Sequence, residues 1–597
     1  MKNIYTSALA LLIGGAALAQ APFPPLEENF YDSTTHTTDL KEVVVPASPL
    51  KYDVLFTGGT DMVFNKNGQS AVAKEWQDFT GYVPIDGRSD SGFVIVNHER
   101  LQADAVNGNG GGMTVFTARF NKTSKKWEVV DPGNGQKFRN VDFTAVGGTG
   151  ANCGGIQTAW GKVFTAEEWG SAFRDNATIS SWSDTTDWNV TSFNGSAENT
   201  TIPRYKNYQY MVEVDVANAK AVRKNYNMGR YDHEGGWIAP DEKTVYLSDD
   251  ASSGSVFFKF VADQVRDFSK GQLYAYKQST DGNGGSWLTI PMVLDSCINA
   301  RSVALRMGAT IFMRLEWVDG KGDMVYITET GRGKEFNISG AMALGGKPAK
   351  HLAAMDTDND GKAVDMFGRV LRFNASNNKM EIMLEGGGDL DGNNVPTGNH
   401  LSSPDGLAMA EINGKTWLAI NEDMNPKGMP ANPAHFGSKL NEVYFLDITG
   451  DAAGKTYQVS ELVRFLAGPK GCETTGGRFT PDGMTYFVNI QHPDATPGVN
   501  NAPFDHSVTI AVTGFDEFLT LGTAPEFKQE STFSVWPNPV SRELHLSKVT
   551  DVRVIEMATG RVVKVKRNTN ALDISTLAPG TYAVQTIDGE VQRVIVE

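Results

Sequence analysis

One recurring pattern limits what this chain can fold into. Between about residues 21 and 528 a β-rich run ends six times in polar, mostly acidic side chains. The runs are residues 93–99, 163–168, 245–250, 325–330, 417–423 and 486–492, as in Phe93-Val94-Ile95-Val96-Asn97-His98-Glu99. Their starts lie about 70 to 90 residues apart, long for a minimal blade but open to insertions. Turns introduce several of them, among them Pro240-Asp241-Glu242-Lys243, Asp319-Gly320-Lys321-Gly322 and Pro481-Asp482-Gly483. The 62 Gly and 17 Tyr suit short strands joined by tight turns. Six similar units predict an all-β chain whose main body is a six-bladed β-propeller.

Upstream of five of these runs, about 12 to 17 residues before the polar end, stands one metal-capable side chain in a Gly-rich or turn context. These are Cys153, Glu234, Glu316, Asp405 and Glu473. One carboxylate beside a turn is by itself an ordinary solvated side chain, so the signal is the shared phase. The inner strands of a propeller line a common axis, and equivalent positions on them converge. Like charges ~4 Å apart repel by about 1 kcal/mol in water and several-fold more in a shielded channel. Cations are the natural compensation. Hard oxygens suit calcium or magnesium, and one thiolate among them favours a softer iron or zinc ion. Arg314 precedes Glu316 by two residues, which on an extended strand puts both on one face. Its planar fork matches phosphate oxygens; a salt bridge to a nearby carboxylate is the other reading. The charge of −16, from 54 basic and 70 acidic residues, argues against a nucleic-acid partner and agrees with cation binding or simple solubility.

Residues 1–19 read as a secretory signal peptide: Lys2, an apolar run from Ala8 to Ala16, then Ala17-Leu18-Ala19 before Gln20. No twin-Arg pair precedes the run, so export unfolded is expected, and no other stretch is long enough for a transmembrane segment. Three cysteines, Cys153, Cys297 and Cys472, suggest at most one bridge and one spare thiol. After a propeller domain over 20–528, residues 529–597 form a separate small β-sandwich module. It contains "VWPNP" (535–539), the hairpin turn "LAPGTY" (577–582) and a basic final strand. This module resembles the C-terminal sorting domain of the type IX secretion system. The resemblance implies a Bacteroidetes-type Gram-negative cell, passage across the outer membrane, and the type IX machinery as partner.

The motifs "NCGG…TAWGKVFTAEEW" (152–169), "GRYDHEGG" (229–236), "RLE" (314–316), "SPDGL" (403–407) and "GCETTGGRFTPDGMTYFVNIQHP" (471–493) resemble the PhoX-type alkaline phosphatases in the same order, and "VNHE" (96–99) fits the first blade. The resemblance implies a six-bladed propeller with calcium and iron ions at its centre, hydrolysing small phosphate esters outside the cytoplasm. Carried across, Cys153, Glu234 and Glu316 are the iron ligands. Glu168 (with Glu167 as the alternative), Asp405 and Glu473 are calcium ligands, and Arg314 grips the phosphoryl oxygens. The sequence departs from the family in three places: the signal is Sec-type, Ala166 replaces a frequent Cys, and Trp317 follows Glu316 where Gly is usual. The first bears on iron loading, the last on the pocket rim and substrate choice. If Cys153 is a ligand, Cys297 and Cys472 remain as a candidate bridge. Two other functions fit the pattern: a calcium-dependent phosphodiesterase, phytase-like or lactonase-like propeller, and a non-enzymatic surface-binding propeller. Asp356-Thr357-Asp358-Asn359-Asp360-Gly361 opens like an EF-hand loop, but Phe367 stands where the twelfth-position Glu belongs, so it reads as a plain acidic loop or a surface calcium turn, and Asp389-Leu390-Asp391-Gly392-Asn393 has the same character. Residues 180–199 read as an exposed insertion at the pocket rim.

Overall fold

The structure is a computed structural model describing residues 23–516 and 533–597, apart from 27–29, 33–36, 39, 47, 183, 253, 338–358, 366, 388–400, 425–439, 558–561 and 587–590. The signal segment, Asp356–Asp358 of the EF-hand-like stretch and the acidic stretch 389–393 lie outside the described residues. The chain divides into two compact units, Met1–Phe515 and Asp516–Glu597.

Among the described residues, the first unit holds six sheets of four or more strands and three two-stranded sheets. Each of the six larger sheets begins on an inner strand: Gln77–Pro84, Asn152–Gln157, His233–Ile238, Leu315–Lys321, Pro404–Ile412 and Glu473–Phe479. Each inner strand packs against the next, and the last returns to the first, so the six close a ring. This is a propeller-like all-β fold. The second strands are the runs singled out in the sequence: Ser91–Gln102, Lys162–Glu167, Thr244–Asp249, Met324–Glu329, Lys415–Glu422 and Thr485–Gln491. They are apolar on both faces because each sheet is covered on both sides by its neighbours; Val94, Ile95 and Val96 are all fully buried. Tyr82 stacks on Phe487 across two adjacent sheets at 5.2 Å, and Trp127 Nε1 donates to Thr485 Oγ1 at 3.0 Å. The ring is fastened by its own N-terminal segment. Strand Lys51–Thr57 pairs antiparallel with Val508–Thr513 at the outer edge of the last sheet, from Lys51 opposite Thr513 to Thr57 opposite Val508. Residues 180–199 are more ordered than a loop: Trp188–Phe193 and Ser196–Ile202 form a hairpin, whose Asn194 side chain accepts from Gly271 N.

In the second unit the long strand Glu543–Glu556 is shared between Val562–Asp573 on one side and Gly580–Thr586 on the other, and Val591–Val596 extends the sheet. It has its own apolar cluster, including Phe533, Leu544, Val554, Leu572, Tyr582 and Val594.

Candidate metal centre

The local backbone recurs from sheet to sheet. In five sheets the inner strand bulges where it meets its partner: Gln77 faces His98, Asn152 faces Glu167, His233 faces Asp249, Leu315 faces Glu329 and Pro404 faces Glu422, each followed by a register shift. The residue after each inner-strand partner is Asp78, Cys153, Glu234, Glu316 or Asp405, and all five are buried. The residue after each outer partner is Glu99, Glu168, Asp250, Thr330 or Asp423. The backbone N–H of each of these donates to the carbonyl just ahead of the inner strand, namely Trp76, Ala151, Asp232, Arg314 and Ser403, at 2.8 to 3.0 Å. Four of those five, Trp76, Ala151, Arg314 and Ser403, are left-handed, with φ of 62°, 43°, 58° and 52°. A β-bulge thus brings two positions per sheet to the cluster in four sheets, whereas in the fifth Thr330 Oγ1 donates to the Pro404 carbonyl at 2.9 Å.

These side chains meet. Cys153 Sγ lies 3.0 Å from Asp78 Oδ2 and 3.1 Å from both Glu234 carboxylate oxygens. Ligand-capable atoms fall within 4.8 Å of one another in four sets: Asp78, Glu99 and Cys153; Cys153, Glu168 and Glu234; Glu234, Asp250 and Glu316; and Asp423, Glu473 and His492. The first three share members and form one continuous cluster. Asp405 lies against Glu473 and adds a buried Oδ1 that has no hydrogen-bond partner among the described residues. Nine carboxylates and a thiol therefore share the space with the Arg314 guanidinium. Burial first, and neighbouring carboxylates second, push Glu168, Glu234, Glu316, Asp405 and Glu473 well above the usual carboxylate range. The same causes raise Asp78 to about 7 and lift the Cys153 thiol. Such a donor set is unfavourable unless cations fill it, so these residues fit bound metal. Against the cost of burial, Asp250 and Glu316 hold Arg314 firmly protonated. Its Nε donates to Asp250 Oδ1 at 2.8 Å, and Nη2 lies 2.8 Å from Glu316 Oε1.

The family profile Alkaline phosphatase PhoX matches residues 30–494, and Secretion system C-terminal sorting domain matches residues 534–597. The chain belongs to the PhoX alkaline phosphatase family. With that membership it is a metal-dependent phosphatase, and its tail directs it through type IX secretion to the cell surface or beyond. Among solved structures it is similar to Pseudomonas fluorescens PhoX in complex with vanadate, a transition-state analogue. The identity is 20%, with 80% of this chain and 97% of that chain covered and a TM-score of 0.58. Trypanosoma rangeli sialidase in complex with the inhibitor DANA (10% identity, 92% and 85% covered, TM-score 0.33) and Kuenenia stuttgartiensis hydrazine synthase (11%, 66% and 88%, 0.29) are too distant to bear on the fold. No curated protein sequence matches the chain.

For this PhoX member the structure brings Cys153, Glu168, Glu234, Glu316, Asp405, Glu473 and Arg314 to one end of the channel, and corrects several details. Glu167, the alternative to Glu168, points away and pairs with buried Lys224 at 3.0 Å. Glu473 is out of phase: in its sheet Thr474 faces Ile490, so Thr475 holds the position equivalent to Cys153, and its Oγ1 hydrogen-bonds Asp78 Oδ1 at 3.1 Å. Glu473 is instead the first residue of its strand, two positions ahead of Thr475, and lies beside His492 Nε2 at 3.1 Å. Arg314 and Glu316 do not share a face of an extended strand. Arg314 stands before the strand with φ 58°, and the bulge turns the two side chains together. Cys297 and Cys472 form no bridge; all three cysteines are free and buried, Cys297 packing with Tyr210 and Tyr226.

The family departures fall away from the centre. Ala166 packs with Ile156, Phe164 and Met211 in an apolar cluster. It holds the place where Asn97, Thr328 and Asn489 donate to the next inner strand's carbonyl. Trp317 is not on the pocket rim. It stacks on Phe79 at 5.9 Å and, with Trp160 and Trp237, lines a cavity of about 320 Å³ at the far end of the inner strands. Phe79 and Trp317 occupy equivalent places, where the other four sheets have Gly154, Gly235, Gly406 and Gly476. The aromatic pair stands where the other sheets have glycine, beneath the cluster.

Sequence reasoning missed Asp78, Glu99, Asp250, Asp423 and His492. Four of these end the acidic runs, so their signal was on view. Asp78 has no flanking glycine and only the register of its sheet reveals it.

Proposed function

We propose that this PhoX-family chain hydrolyses phosphate monoesters outside the cytoplasm, at calcium and iron ions held on the channel axis. The observation that carries the reading is the contact of Cys153 Sγ with Asp78 and Glu234 inside a carboxylate cluster that Arg314 borders. A thiol among carboxylates favours a softer ion such as iron or zinc there; with the family resemblance, we propose Cys153, Glu234 and Glu316 as iron ligands, with Asp78 as an added candidate. Glu168, Asp405 and Glu473, joined by Glu99, Asp250 and Asp423, supply the all-oxygen surroundings that calcium prefers. When bound, such cations lower the pKa of a water and neutralise charge on the leaving oxygen.

The chain's own residues supply the rest. Arg314 binds equatorial phosphoryl oxygens, and Asp250 and Glu316 aim its fork. Phe79 and Trp317 stack at the far end of the inner strands, and we take substrate to approach over the ends of the second strands, where Arg314 and the carboxylates lie. We read the six sheets as six blades, because their inner strands form a closed ring. We also infer Sec export through residues 1–19, a Bacteroidetes-type host, and a propeller domain over 20–528 followed by the sorting module at 529–597. Hydrolysis of p-nitrophenyl phosphate against the bis-ester, with and without chelator, tests the reading. Chelator-sensitive cleavage of the monoester is expected; faster cleavage of the bis-ester contradicts it.

A further inference from the structure

The open end of the channel carries an aromatic collar. Trp169 follows Glu168, Trp76 lies two residues before Asp78, and His492 follows Gln491. All three are partly exposed. The Trp76 and Trp169 rings lie 5.6 Å apart at 49°, and His492 meets Trp76 edge-on at 6.0 Å. The exposed Arg100 guanidinium sits 5.9 Å from the Trp76 ring centre.

Two features separate this collar from ordinary surface aromatics. First, it is wired to the metal cluster. Trp169 Nε1 donates to Glu99 Oε1 at 2.5 Å, His492 Nε2 lies 3.1 Å from Glu473 Oε2, and Glu99 N donates to the Trp76 carbonyl at 2.9 Å. Second, its members hold costly backbone conformations. Trp76, Trp169 and His492 have φ of 62°, 61° and 36°, the left-handed region that bulky residues rarely enter. Ser507 Oγ accepts from the backbone N–H of both Trp76 and His492 at 3.1 Å and fixes two of them. Strain held in place beside a reactive cluster points to a role for the side chains that it displays.

The Phe79–Trp317 stack lies at the far end of the inner strands, whereas Trp76 and Trp169 border the cluster, so a phosphoryl group held there would place its leaving group beside these rings. We propose that Trp76 and Trp169 form a leaving-group subsite that selects phosphate monoesters of planar, aromatic alcohols over those of small aliphatic ones. The proposal rests on the phosphomonoesterase reading and names its substrate class. Indole rings offer a π-face to any planar group, and Arg100 adds a cationic edge.

The test uses non-hydrolysable probes on the full, metal-loaded chain, so that binding is read apart from turnover. Phenylphosphonate and methylphosphonate share the phosphoryl head and differ in the ring. Calorimetric titration should show phenylphosphonate binding about 10-fold tighter, the order that one aromatic stack provides. Trp76→Leu should erase the preference while methylphosphonate binding stays, and Trp76→Phe should keep it. Equal affinities in the unmodified protein overturn the proposal, as does a preference that survives Trp76→Leu. The unmodified protein alone decides the matter if the leucine variant does not fold. A chain that prefers phenylphosphonate yet cleaves neither phenyl phosphate nor glycerol 2-phosphate would keep the subsite and lose the phosphatase reading.

Discussion

Gly154, one residue after the thiol, offers a steric test of how the centre is built. A Cβ placed on it would lie 1.4 Å from the Glu234 carbonyl oxygen of the next inner strand. Ordinary contact begins near 3.4 Å, so the Gly154→Ala substitution forces that carbonyl back by 3.4 − 1.4, or 2.0 Å. The obstacle is backbone, which cannot rotate aside. The shift falls on the residue whose carboxylate sits 3.1 Å from Cys153 Sγ. Overpacking a core costs about 1–3 kcal/mol where side chains yield, and here the upper end, about 3 kcal/mol, is the expected minimum. Gly235 is the control, one strand along and equivalent in position, because its Cβ would meet nothing nearer than 3.8 Å. Gly235→Ala should be neutral or stabilising by about 0.4–1 kcal/mol, since alanine restricts the unfolded chain. Urea melts report stability, and elemental analysis with p-nitrophenyl phosphate turnover reports the centre. Gly154→Ala should lower both, Gly235→Ala neither. Equal effects from the two, or a Gly154→Ala protein with normal metal and rate, would refute the packing argument.

Replacing Arg314 by Lys keeps the charge but loses the fork, and kcat/KM should fall by about 10²–10³; a change under about threefold in steady-state kinetics contradicts its role. The metal-free chain should lose stability as pH rises. Burial and the Glu99 charge raise the Asp78 pKa to about 7 in the fold from 3.8, so between those values the folded state keeps a proton that the unfolded state has released. Chelated protein should therefore melt at lower temperature at pH 8 than at pH 5, and added calcium should reverse the order; a flat profile contradicts this. A chain ending at Phe515 should fold and hydrolyse phenyl phosphate as the full chain does, since the two units have separate cores. A truncated chain that is insoluble or inactive argues otherwise.

The sequence displayed the second strands clearly, because a strand buried on both faces is a continuous apolar run and Val94-Ile95-Val96 could be little else. It also displayed those ligands that stand next to glycine. Gly154 is needed because adjacent inner strands nearly touch there, and that need marks Cys153. Asp78 carries no such mark: the room beside it is filled by Phe79, so its sequence neighbourhood reads as ordinary core. The fastening of Lys51–Thr57 onto Val508–Thr513 was equally hidden, since strands so far apart in sequence leave no local pattern. The bulge hid the true geometry of Arg314 and Glu316. A two-residue spacing implies one face only while the backbone stays extended, and a φ of 58° at Arg314 breaks that condition.

Side chains from successive sheets converge on one axis, where they are proposed jointly to hold cations. Elemental analysis of the purified chain, beside its Cys153→Ala and Glu234→Gln variants, tests this most directly. More than one bound cation per chain is expected after dialysis, iron among them, with iron and turnover lost together in both variants. A chain that retains no metal, or a Cys153→Ala protein with its iron and activity intact, would contradict the proposal.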